Sequence, residues 1–534
     1  MRKSARRVCL LGLTSLVTSA LAACAAPNDP ELSSPTASVE APTPPAPPAA
    51  AATAGPRREP LSLALVPIPE GTAWERESAH AIRWAPPTEP ACSGPAPVCM
   101  PALIEASYDG GFSWEEVGAV PSWRGRFVWT VPGSSGPAVR FRVTLLSAET
   151  GAPVAAPQLT ADVRLAPSRK RDYAWTRVTN DAPWGARDGA GAIVHGGKLW
   201  LLGGWNPSRF PLNTANDVWS SADGETWTQV RPNTFLDADT FDRTSHWEGR
   251  HQGGYHSWGG KMWVVGGDAN QGHYQTDTWS STDGVSWVRT DIHTTTPRME
   301  IDTNSESPTY GRWVEMDGWR PREEAQYGSR ALAMSGVFQG KLWLMGGQRV
   351  ESAVDPVWPG APRKVFNDVW QSSDGASWKQ VPTEGTMWAP RGLAGAVTFR
   401  DRLWIVGGGT YDDPPPGQDP GDWRVLRNDV WSTVDGARWT PVDESPPFSA
   451  RYFHSVGVFD GRLWVIGGWG PDNLGDAWYT EDGANWYGAS EPQFLARHSA
   501  SLWVRDDAMF VGAGNAFDDD ARWVADVWKI VRKP

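Results

Sequence analysis

Five polar side chains in the C-terminal part of this 534-residue chain could bind a ligand or a metal ion. Asp188, His251, Tyr452 and His498 each directly follow an arginine, and His454 lies three residues after one of those arginines. Imidazole, phenol and carboxylate groups are ligands of transition metals, and they also hydrogen-bond to polar small molecules. The alternative is that these side chains only line a solvated channel wall, and their spacing leaves both interpretations open.

The arginines before these residues belong to a pattern of an aromatic residue, two further residues and Arg. The pattern occurs six times, as Trp184/Arg187, Trp247/Arg250, Tyr327/Arg330, Trp388/Arg391, Phe448/Arg451 and Phe494/Arg497. A ring of guanidinium groups could bind an anion, which makes Arg187, Arg250, Arg451 and Arg497 candidate ligand-binding residues beside the polar positions. The alternative is structural, with each arginine packing on its own aromatic residue or bracing a neighbouring repeat. Because all six repeats carry the pair, we favour the structural alternative.

Residues that differ between the repeats are better candidates for a binding site. Directly after the arginine, the third and fourth repeats have only Ala331 and Gly392. The polar residues therefore lie in repeats one, two, five and six, which are contiguous if the repeats close into a ring. This distribution predicts a one-sided pocket lined by Asp188, His251, Tyr452, His454 and His498.

The elements that must position these residues also repeat, from Arg171 onwards. Each unit has an apolar run, a second run ending in two glycines, an Asp-x-Trp segment, and a Trp segment after an Asp-Gly pair. The glycine pairs are Gly203-Gly204, Gly266-Gly267, Gly346-Gly347, Gly407-Gly408 and Gly467-Gly468, with Gly512-Ala513-Gly514 in the sixth unit. Asp-Gly is a strong hairpin signal and paired glycines allow close backbone packing, so we expect four strands in each unit. The pattern resembles the kelch repeat, and six copies over residues 172–534 resemble a six-bladed kelch β-propeller.

The sixth unit lacks its last strand, whereas a strand-like segment around Trp175 precedes the first unit. We expect this N-terminal strand to complete the sixth blade and to close the ring, which leaves no open sheet edge. The longest insertion, Val288–Ser329, follows an outer Trp strand. Because the long connections open on one face, we expect ligands to bind there.

Residues 59–167 contain about seven short apolar or alternating runs separated by turn residues. They predict a small all-β sandwich of immunoglobulin or fibronectin-III size. Ser107, Asp109, Gly111 and Trp114 fit the Asp-box hairpin, which is a folding element and does not imply sialidase activity. Cys92 and Cys99 predict a small-loop disulfide, with a metal-binding pair as the alternative.

The N-terminus resembles a bacterial lipoprotein signal. Residues 1–23 have a basic head and an apolar run, and Leu21-Ala22-Ala23-Cys24 resembles a lipobox, with an ordinary signal peptide as the alternative. The resemblance implies that Cys24 is acylated and anchors the chain, and Ala25 after it implies outer-membrane sorting. Residues 24–58 are mostly Pro, Ala, Ser and Thr, which predicts a disordered tether.

The composition agrees with this organisation. The chain has 56 Gly, 46 Pro and 34 Trp, which favours many short strands and turns and excludes a helical bundle, a coiled coil or a multi-span membrane protein. A net charge of −12 argues against nucleic acid as a partner. We expect a monomer.

Two enzyme families with kelch propellers are possible relatives of this sequence. Arg451, His454 and Ser455 match the copper segment of the galactose oxidase family, but Phe453 replaces its ligand Tyr and the predicted propeller has no Cys for its Cys–Tyr cofactor. No motif carries over the catalytic residues of the sialic-acid mutarotases. The Asp-rich loops at Asp412–Asp413 and Asp518–Asp520 suit Ca²⁺ or simple solvation.

We therefore expect a cell-envelope lipoprotein, without a catalytic residue or a required cofactor, whose propeller face binds a protein or glycan. A carbohydrate-active enzyme using the same face is the alternative, because propellers host both.

Overall fold

The chain folds into β-sheets throughout the part described by the computed structural model. That part comprises residues 63–86, 92–93, 98–206, 208, 213–236, 241–242, 244–268, 274–290, 299–301, 313–315, 327, 330–350, 363–410, 424–489, 494–516 and 523–534. The signal segment, Cys24, the tether, both acidic loops and most of Val288–Ser329 lie outside it. Within these ranges, a short 3-10 turn lies at Ser122–Arg124, and no helix is long and apolar enough to span a membrane.

Eleven strands precede residue 167. They are β1 (Ala64–Leu65), β2 (Ala73–Glu75), β3 (Ala79–Ala85), β4 (Cys92–Ser93), β5 (Val98–Cys99), β6 (Pro101–Ser107), β7 (Glu115–Pro121), β8 (Arg126–Thr130), β9 (Ala138–Leu145), β10 (Gln158–Leu159) and β11 (Val163–Ala166). One sheet has the order β2-β11-β9-β6-β7, with β10 beside β9, and β1, β3 and β8 belong to a second sheet. Alternate residues of β6 and β9, such as Ile104 and Phe141, are fully buried, so this part has a core of its own.

Two hairpins of this part were visible in the sequence. Ser107 Oγ accepts from the Gly111 amide at 2.8 Å, and Asp109 Oδ1 accepts from the Ser113 amide at 2.9 Å, which closes the Asp-box turn. Strands β4 and β5 pair so that Cys92 lies directly opposite Cys99. Directly opposed residues of antiparallel strands have the Cα separation that a disulfide needs.

The remaining strands follow from residue 173. They are β12 (Tyr173–Thr179), β13 (Gly191–His195), β14 (Lys198–Trp205), β15 (Thr214–Ser221), β16 (Trp227–Arg231), β17 (Gly254–Trp258), β18 (Lys261–Asp268), β19 (Tyr274–Ser281), β20 (Val288–Arg289), β21 (Met299–Ile301), β22 (Trp313–Glu315), β23 (Met334–Phe338), β24 (Lys341–Met345), β25 (Gln348–Val350), β26 (Arg363–Val365), β27 (Val369–Ser372), β28 (Lys379–Gln380), β29 (Gly395–Phe399), β30 (Arg402–Gly409), β31 (Leu426–Thr433), β32 (Thr440–Asp443), β33 (Ser455–Phe459), β34 (Arg462–Ile466), β35 (Ala477–Thr480), β36 (Trp486–Gly488), β37 (Ser501–Arg505), β38 (Ala508–Gly512) and β39 (Val527–Arg532).

These strands form antiparallel arrays of four, one for each sequence repeat. We number them sheet 1 (β13–β16), sheet 2 (β17–β20), sheet 3 (β23, β24, β27, β28), sheet 4 (β29–β32), sheet 5 (β33–β36) and sheet 6 (β37, β38, β39, β12). β21 with β22, and β25 with β26, form two further hairpins. Each sheet contains four strands, as the Gly-Gly and Asp-Gly signals predict for each repeat.

The strand around Trp175 belongs to sheet 6. β12 pairs antiparallel with β39, and Trp175 lies opposite Ile530. This is the pairing that the incomplete sixth repeat predicts. Tyr173 is buried and contacts Trp464 of sheet 5 edge-on, with ring centroids 4.6 Å apart. The strand therefore also packs against the preceding sheet.

Neighbouring sheets contact each other through their first strands and through the Asp-Gly hairpins. The first strand of each sheet contacts the first strands of two others, and the pairs are β13/β17, β17/β23, β23/β29, β29/β33, β33/β37 and β37/β13. Each Asp-Gly hairpin also packs its glycine on an aromatic ring of the preceding sheet, at Gly224/Phe510, Gly284/Trp200, Gly375/Trp263, Gly436/Trp343 and Gly483/Trp404. A Cβ at these glycines would lie within 2.1–2.8 Å of the ring, so glycine is required there.

The N-terminal sandwich is joined to sheet 5. Ala79 of β3 pairs with Trp486 of β36, so that β1, β3 and sheet 5 share one continuous hydrogen-bonded array. The Glu75 amide donates to Asn485 Oδ1 at 2.9 Å, and the Tyr487 hydroxyl donates to Glu75 Oε2 at 2.5 Å. Burial raises the pKa of the Glu75 carboxyl above its ordinary value, although the Tyr487 hydrogen bond opposes this.

Candidate functional site

The six repeated arginines are buried inside their own sheets. Each guanidinium forms an ion pair of 2.5–2.7 Å with the Asp of the Asp-x-Trp strand, in the pairs Arg187–Asp217, Arg250–Asp277, Arg330–Asp368, Arg391–Asp429, Arg451–Asp476 and Arg497–Asp526. A second N–H of Arg250 contacts the other carboxylate oxygen of Asp277 at 3.1 Å, and Nη1 also donates to the Gly266 carbonyl at 2.9 Å. The other five arginines repeat this geometry. Each pair therefore holds the glycine corner of its sheet against the Asp-x-Trp strand.

This placement corresponds to the structural alternative for the arginines. Arg187, Arg250, Arg451 and Arg497 are at most 1% exposed, and their charge is neutralised by bidentate contact with a carboxylate. Burial alone raises the pKa of Asp277, but the Arg250 guanidinium outweighs this and lowers it below its ordinary value. We therefore remove the four arginines from the candidate ligand-binding residues and assign them to the scaffold.

The residue after each arginine has a constant backbone position. It forms an antiparallel bridge with the residue after the two glycines, in the pairs Asp188/Trp205, His251/Asp268, Ala331/Gln348, Gly392/Gly409, Tyr452/Trp469 and His498/Asn515. The bridge uses only main-chain groups, so side chains at both positions can vary. It brings Asp188, His251, Tyr452 and His498 to corresponding ends of sheets 1, 2, 5 and 6, next to a second set of side chains that the sequence analysis did not select.

Asp188 lies in the best-developed cluster of this end. Its carboxyl is buried, and Oδ2 accepts from Trp523 Nε1 at 3.1 Å and from Asn515 Nδ2 at 3.5 Å. Burial raises the pKa of Asp188 to about 7, and the two hydrogen bonds only partly oppose the shift. The half-buried Trp205 packs edge-on against Trp523, with centroids 5.4 Å apart. The cluster therefore combines two indole rings, an amide and a carboxyl that changes charge near neutral pH.

The other predicted residues at this end are held by carbonyl or amide oxygens and by aromatic rings. His251 Nδ1 contacts the Asp268 carbonyl at 2.9 Å, and His498 Nδ1 contacts Asn473 Oδ1 at 2.7 Å. Burial lowers the pKa of both imidazoles to about 4, so both are neutral at physiological pH. Tyr452 stacks on Trp469, with centroids 5.1 Å apart.

His454 lies apart from these four residues, beside a central cavity of about 200 Å³. Its Nε2 contacts the Val406 carbonyl of sheet 4 at 3.0 Å and therefore carries the hydrogen. Burial and the nearby Arg451 lower the pKa of His454 to about 3. The cavity is smaller than the roughly 300–1,000 Å³ of most ligand pockets. The structure thus divides the predicted pocket into an end surface and a small interior space.

The mouth of this cavity is formed by residues that no sequence pattern indicated. The residue two positions after each arginine has a left-handed backbone, with φ between 53° and 61°, at Gly189, Gln252, Leu332, Leu393, Phe453 and Ser499. Five backbone N–H groups of this set each donate to the carbonyl of the corresponding residue in another sheet, at 2.8–3.2 Å. Gln252 Nε2 also donates to Ser499 Oγ at 2.7 Å across the opening. A non-Gly residue with positive φ leaves no clear pattern in a sequence.

Within the described part of the chain, no three His, Cys, Asp or Glu side chains come together as metal ligands. The three histidines, the tyrosine and Asp188 are thus not assembled as the metal set that their types allowed. Asp188, His251, Tyr452 and His498 form an aromatic and polar surface across sheets 5, 6, 1 and 2, together with Trp205, Trp469, Trp523 and Asn515. We call it the end surface. A scan against protein-family models gives no match to this chain, and the curated proteins give no significant match either.

Proposed function

We propose that this chain is a non-enzymatic binding protein of the cell envelope, and that its end surface holds the ligand. The observation that carries this proposal is the Asp188 cluster, where a buried carboxyl, an amide and two partly exposed indoles converge. Aromatic rings with a few fixed polar groups are the usual composition of a ligand site. The histidines support binding rather than proton transfer, since His251, His454 and His498 hydrogen-bond to carbonyl or amide oxygens.

The scaffold we propose for this function is a six-bladed kelch-like propeller preceded by an immunoglobulin-like sandwich. Three observations support a closed ring. The first strands of the six sheets contact one another in cyclic order, Gly224 of sheet 1 packs on Phe510 of sheet 6, and the left-handed residues are linked around the cavity by backbone hydrogen bonds. In such a ring sheets 5, 6, 1 and 2 are contiguous, which makes the end surface one continuous site.

We further propose that acylated Cys24 anchors this chain to the outer membrane, that residues 24–58 act as its tether, and that Cys92 and Cys99 form a disulfide. The lipobox-like sequence supports the anchor, and the direct cross-strand opposition of the two cysteines supports the disulfide. Labelling with a radioactive fatty acid should mark the wild type and not the Cys24→Ser variant, which should leave the membrane fraction. An unlabelled, fully soluble wild type would remove the anchor from the proposal.

Binding by the end surface is tested with an immobilised glycan array and a peptide library, probed with the wild type and two tryptophan variants. Trp523→Ala removes an indole of the end surface, and Trp123→Ala removes a 53% exposed indole of the sandwich. We expect at least one ligand that the wild type and Trp123→Ala retain and Trp523→Ala loses. If no ligand distinguishes the two variants, the end surface is not the binding site.

One observation favours an enzyme that acts on carbohydrates. Asp188 is buried in the cluster and its pKa is raised to about 7, as is typical of catalytic acids and bases. Interconversion of sugar anomers, followed by polarimetry, is the simplest reaction for one such carboxyl. Turnover that disappears in Asp188→Asn, while that variant remains folded, would replace the binding function by this alternative.

A further inference from the structure

The hydrogen-bonding groups around Asp188 are incompletely satisfied. Asn515 is only 4% exposed, and its Oδ1 has no hydrogen-bond partner among the described residues, although its Nδ2 reaches Asp188. The indole Nε1 of Trp205 is buried and has no partner in the same part of the chain. A buried polar group without a partner destabilises the fold, because it has lost its hydrogen bonds to water. The cluster therefore holds one acceptor and one donor that have no partner among the described residues.

A hydroxyl group is the chemical partner that suits both atoms. It can accept from the Trp205 Nε1–H and donate to Asn515 Oδ1, whereas a carboxylate or phosphate only accepts and an ammonium only donates. Trp205 and Trp523 are half-buried and meet edge-on, so they offer apolar ring surface next to these polar atoms. A pyranose ring has the matching combination, with apolar C–H faces and hydroxyl groups around its rim.

Charge at the cluster favours an uncharged ligand. Arg187, next in sequence to Asp188, and Arg497, in the neighbouring sheet, are each neutralised by an ion pair with Asp217 and Asp526. His251 and His498 are neutral at pH 7 because burial lowers their pKa to about 4. The Asp188 carboxyl itself repels anions when it is ionised. Among the described residues, an acidic sugar or an acidic peptide would therefore lose solvation at this cluster without gaining a counter-charge.

On the basis of the proposed binding function, we propose that the Asp188 cluster recognises a neutral sugar, through a hydroxyl placed between Trp205 Nε1 and Asn515 Oδ1. The indole faces of Trp205 and Trp523 contact the apolar side of the sugar ring. The carboxyl of Asp188 orients the Asn515 amide and the Trp523 indole, so it is a positioning residue for this contact.

The test is calorimetric titration of the full-length protein with methyl glycosides of glucose, galactose, mannose and N-acetylglucosamine. Glucuronate serves as the acidic comparator. Trp205→Phe removes the Nε1–H and keeps an aromatic ring, and Trp123→Phe makes the same change on the sandwich. We expect at least one neutral glycoside to bind and glucuronate not to bind. Trp205→Phe should weaken the affinity by about five- to tenfold, the usual effect of one hydrogen bond, and Trp123→Phe should not change it.

The outcomes separate this inference from the function on which it rests. If a neutral glycoside binds the wild type and Trp205→Phe equally, the proposed contact between its hydroxyl and Trp205 Nε1 is wrong. Trp205 Nε1 and Asn515 Oδ1 would then bind only a structural water. Binding of peptides or glucuronate alone, lost in Trp523→Ala, overturns the sugar assignment and leaves the end surface as a binding site. Binding of none of these probes, together with an array that does not distinguish Trp523→Ala, removes both.

Discussion

Replacing Asp277 by Asn should destabilise the protein even though no ligand contact is changed. Asn has nearly the same volume as Asp, so no cavity forms, but the fully buried Arg250 guanidinium loses its counter-charge. Removing one partner of a buried ion pair typically costs about 3–5 kcal/mol. Arg250 keeps its hydrogen bond to the Gly266 carbonyl, and the new amide oxygen can still accept. We therefore expect a loss of about 3 kcal/mol, at the lower end of this range.

The measurement is equilibrium unfolding in urea at pH 7.5, followed by tryptophan fluorescence. Two variants serve as controls. Asp429→Asn breaks the equivalent pair in sheet 4, which has no polar end-surface residue, and should cost a similar amount. Asp162→Asn breaks a well-aligned pair with Arg140 that is exposed to solvent, and should cost less than about 1 kcal/mol. An unchanged unfolding midpoint in Asp277→Asn, combined with loss of ligand binding, would return the arginines to the ligand site.

The same pair predicts a pH dependence with a definite sign. The Arg250 guanidinium lowers the pKa of Asp277 in the folded state, so folding favours the ionised carboxylate. This contribution to stability is complete above the unfolded pKa of about 4 and is lost as the pH falls through the lower, folded value. The stability difference between wild type and Asp277→Asn should therefore be full at pH 7 and shrink below about pH 4.

Three further outcomes follow from the fold. Removing residues 1–182 should reduce soluble yield far more than removing residues 1–166, because only the longer truncation exposes β39 by deleting β12. Gly375→Ala should cost about 1–3 kcal/mol more than Gly385→Ala, because both have φ near +75° but only the Cβ at 375 meets a tryptophan ring, at 2.1 Å. Asp188→Asn should be more stable than wild type at pH 8, by up to about 4 kcal/mol, and no more stable near pH 4, since a raised carboxyl pKa favours folding only at low pH. Urea unfolding at the two pH values checks the last prediction.

The sequence predicted the sheets better than the site. Gly-Gly, Asp-Gly and the Asp-box residues act through local backbone conformation and short-range hydrogen bonds, so their positions in the sequence are enough to place hairpins. The ion pairs of the arginines were missed because Arg and Asp are 25 to 38 residues apart, although both recur in every unit. The recurrence of one Arg before the first strand and one Asp before the Trp in all six repeats is the signal that could have revealed them.

The sequence also does not show that His454 is separated from the other residues of the predicted pocket. The reason lies in the backbone conformation. Tyr452 and His454 are separated only by Phe453, yet the left-handed φ of Phe453 turns the chain between them. Tyr452 lies beside Trp469 at the end surface, and His454 lies against Val406 and the cavity. Trp205, Trp469 and Asn515 directly follow the glycine pairs. The glycines carry a backbone signal, whereas the side chain after them follows no repeated pattern.

Positions that are the same in every repeat stabilise the sheets, and positions that differ between repeats are available for binding. This division explains where a binding function can evolve in such a scaffold. The Arg–Asp pairs need their side chains, so every repeat keeps them. The bridge between the residue after Arg and the residue after Gly-Gly needs only main-chain groups, so the side chains at these positions can differ between repeats. Gly392 and Gly409 are exceptions, because a Cβ there would lie 2.8 Å and 1.9 Å from a backbone oxygen. Gly392 faces Gly409 in sheet 4, whereas Asp188 faces Trp205 in sheet 1. The proposed binding function therefore places ligand specificity at positions whose backbone is fixed independently of their side chains.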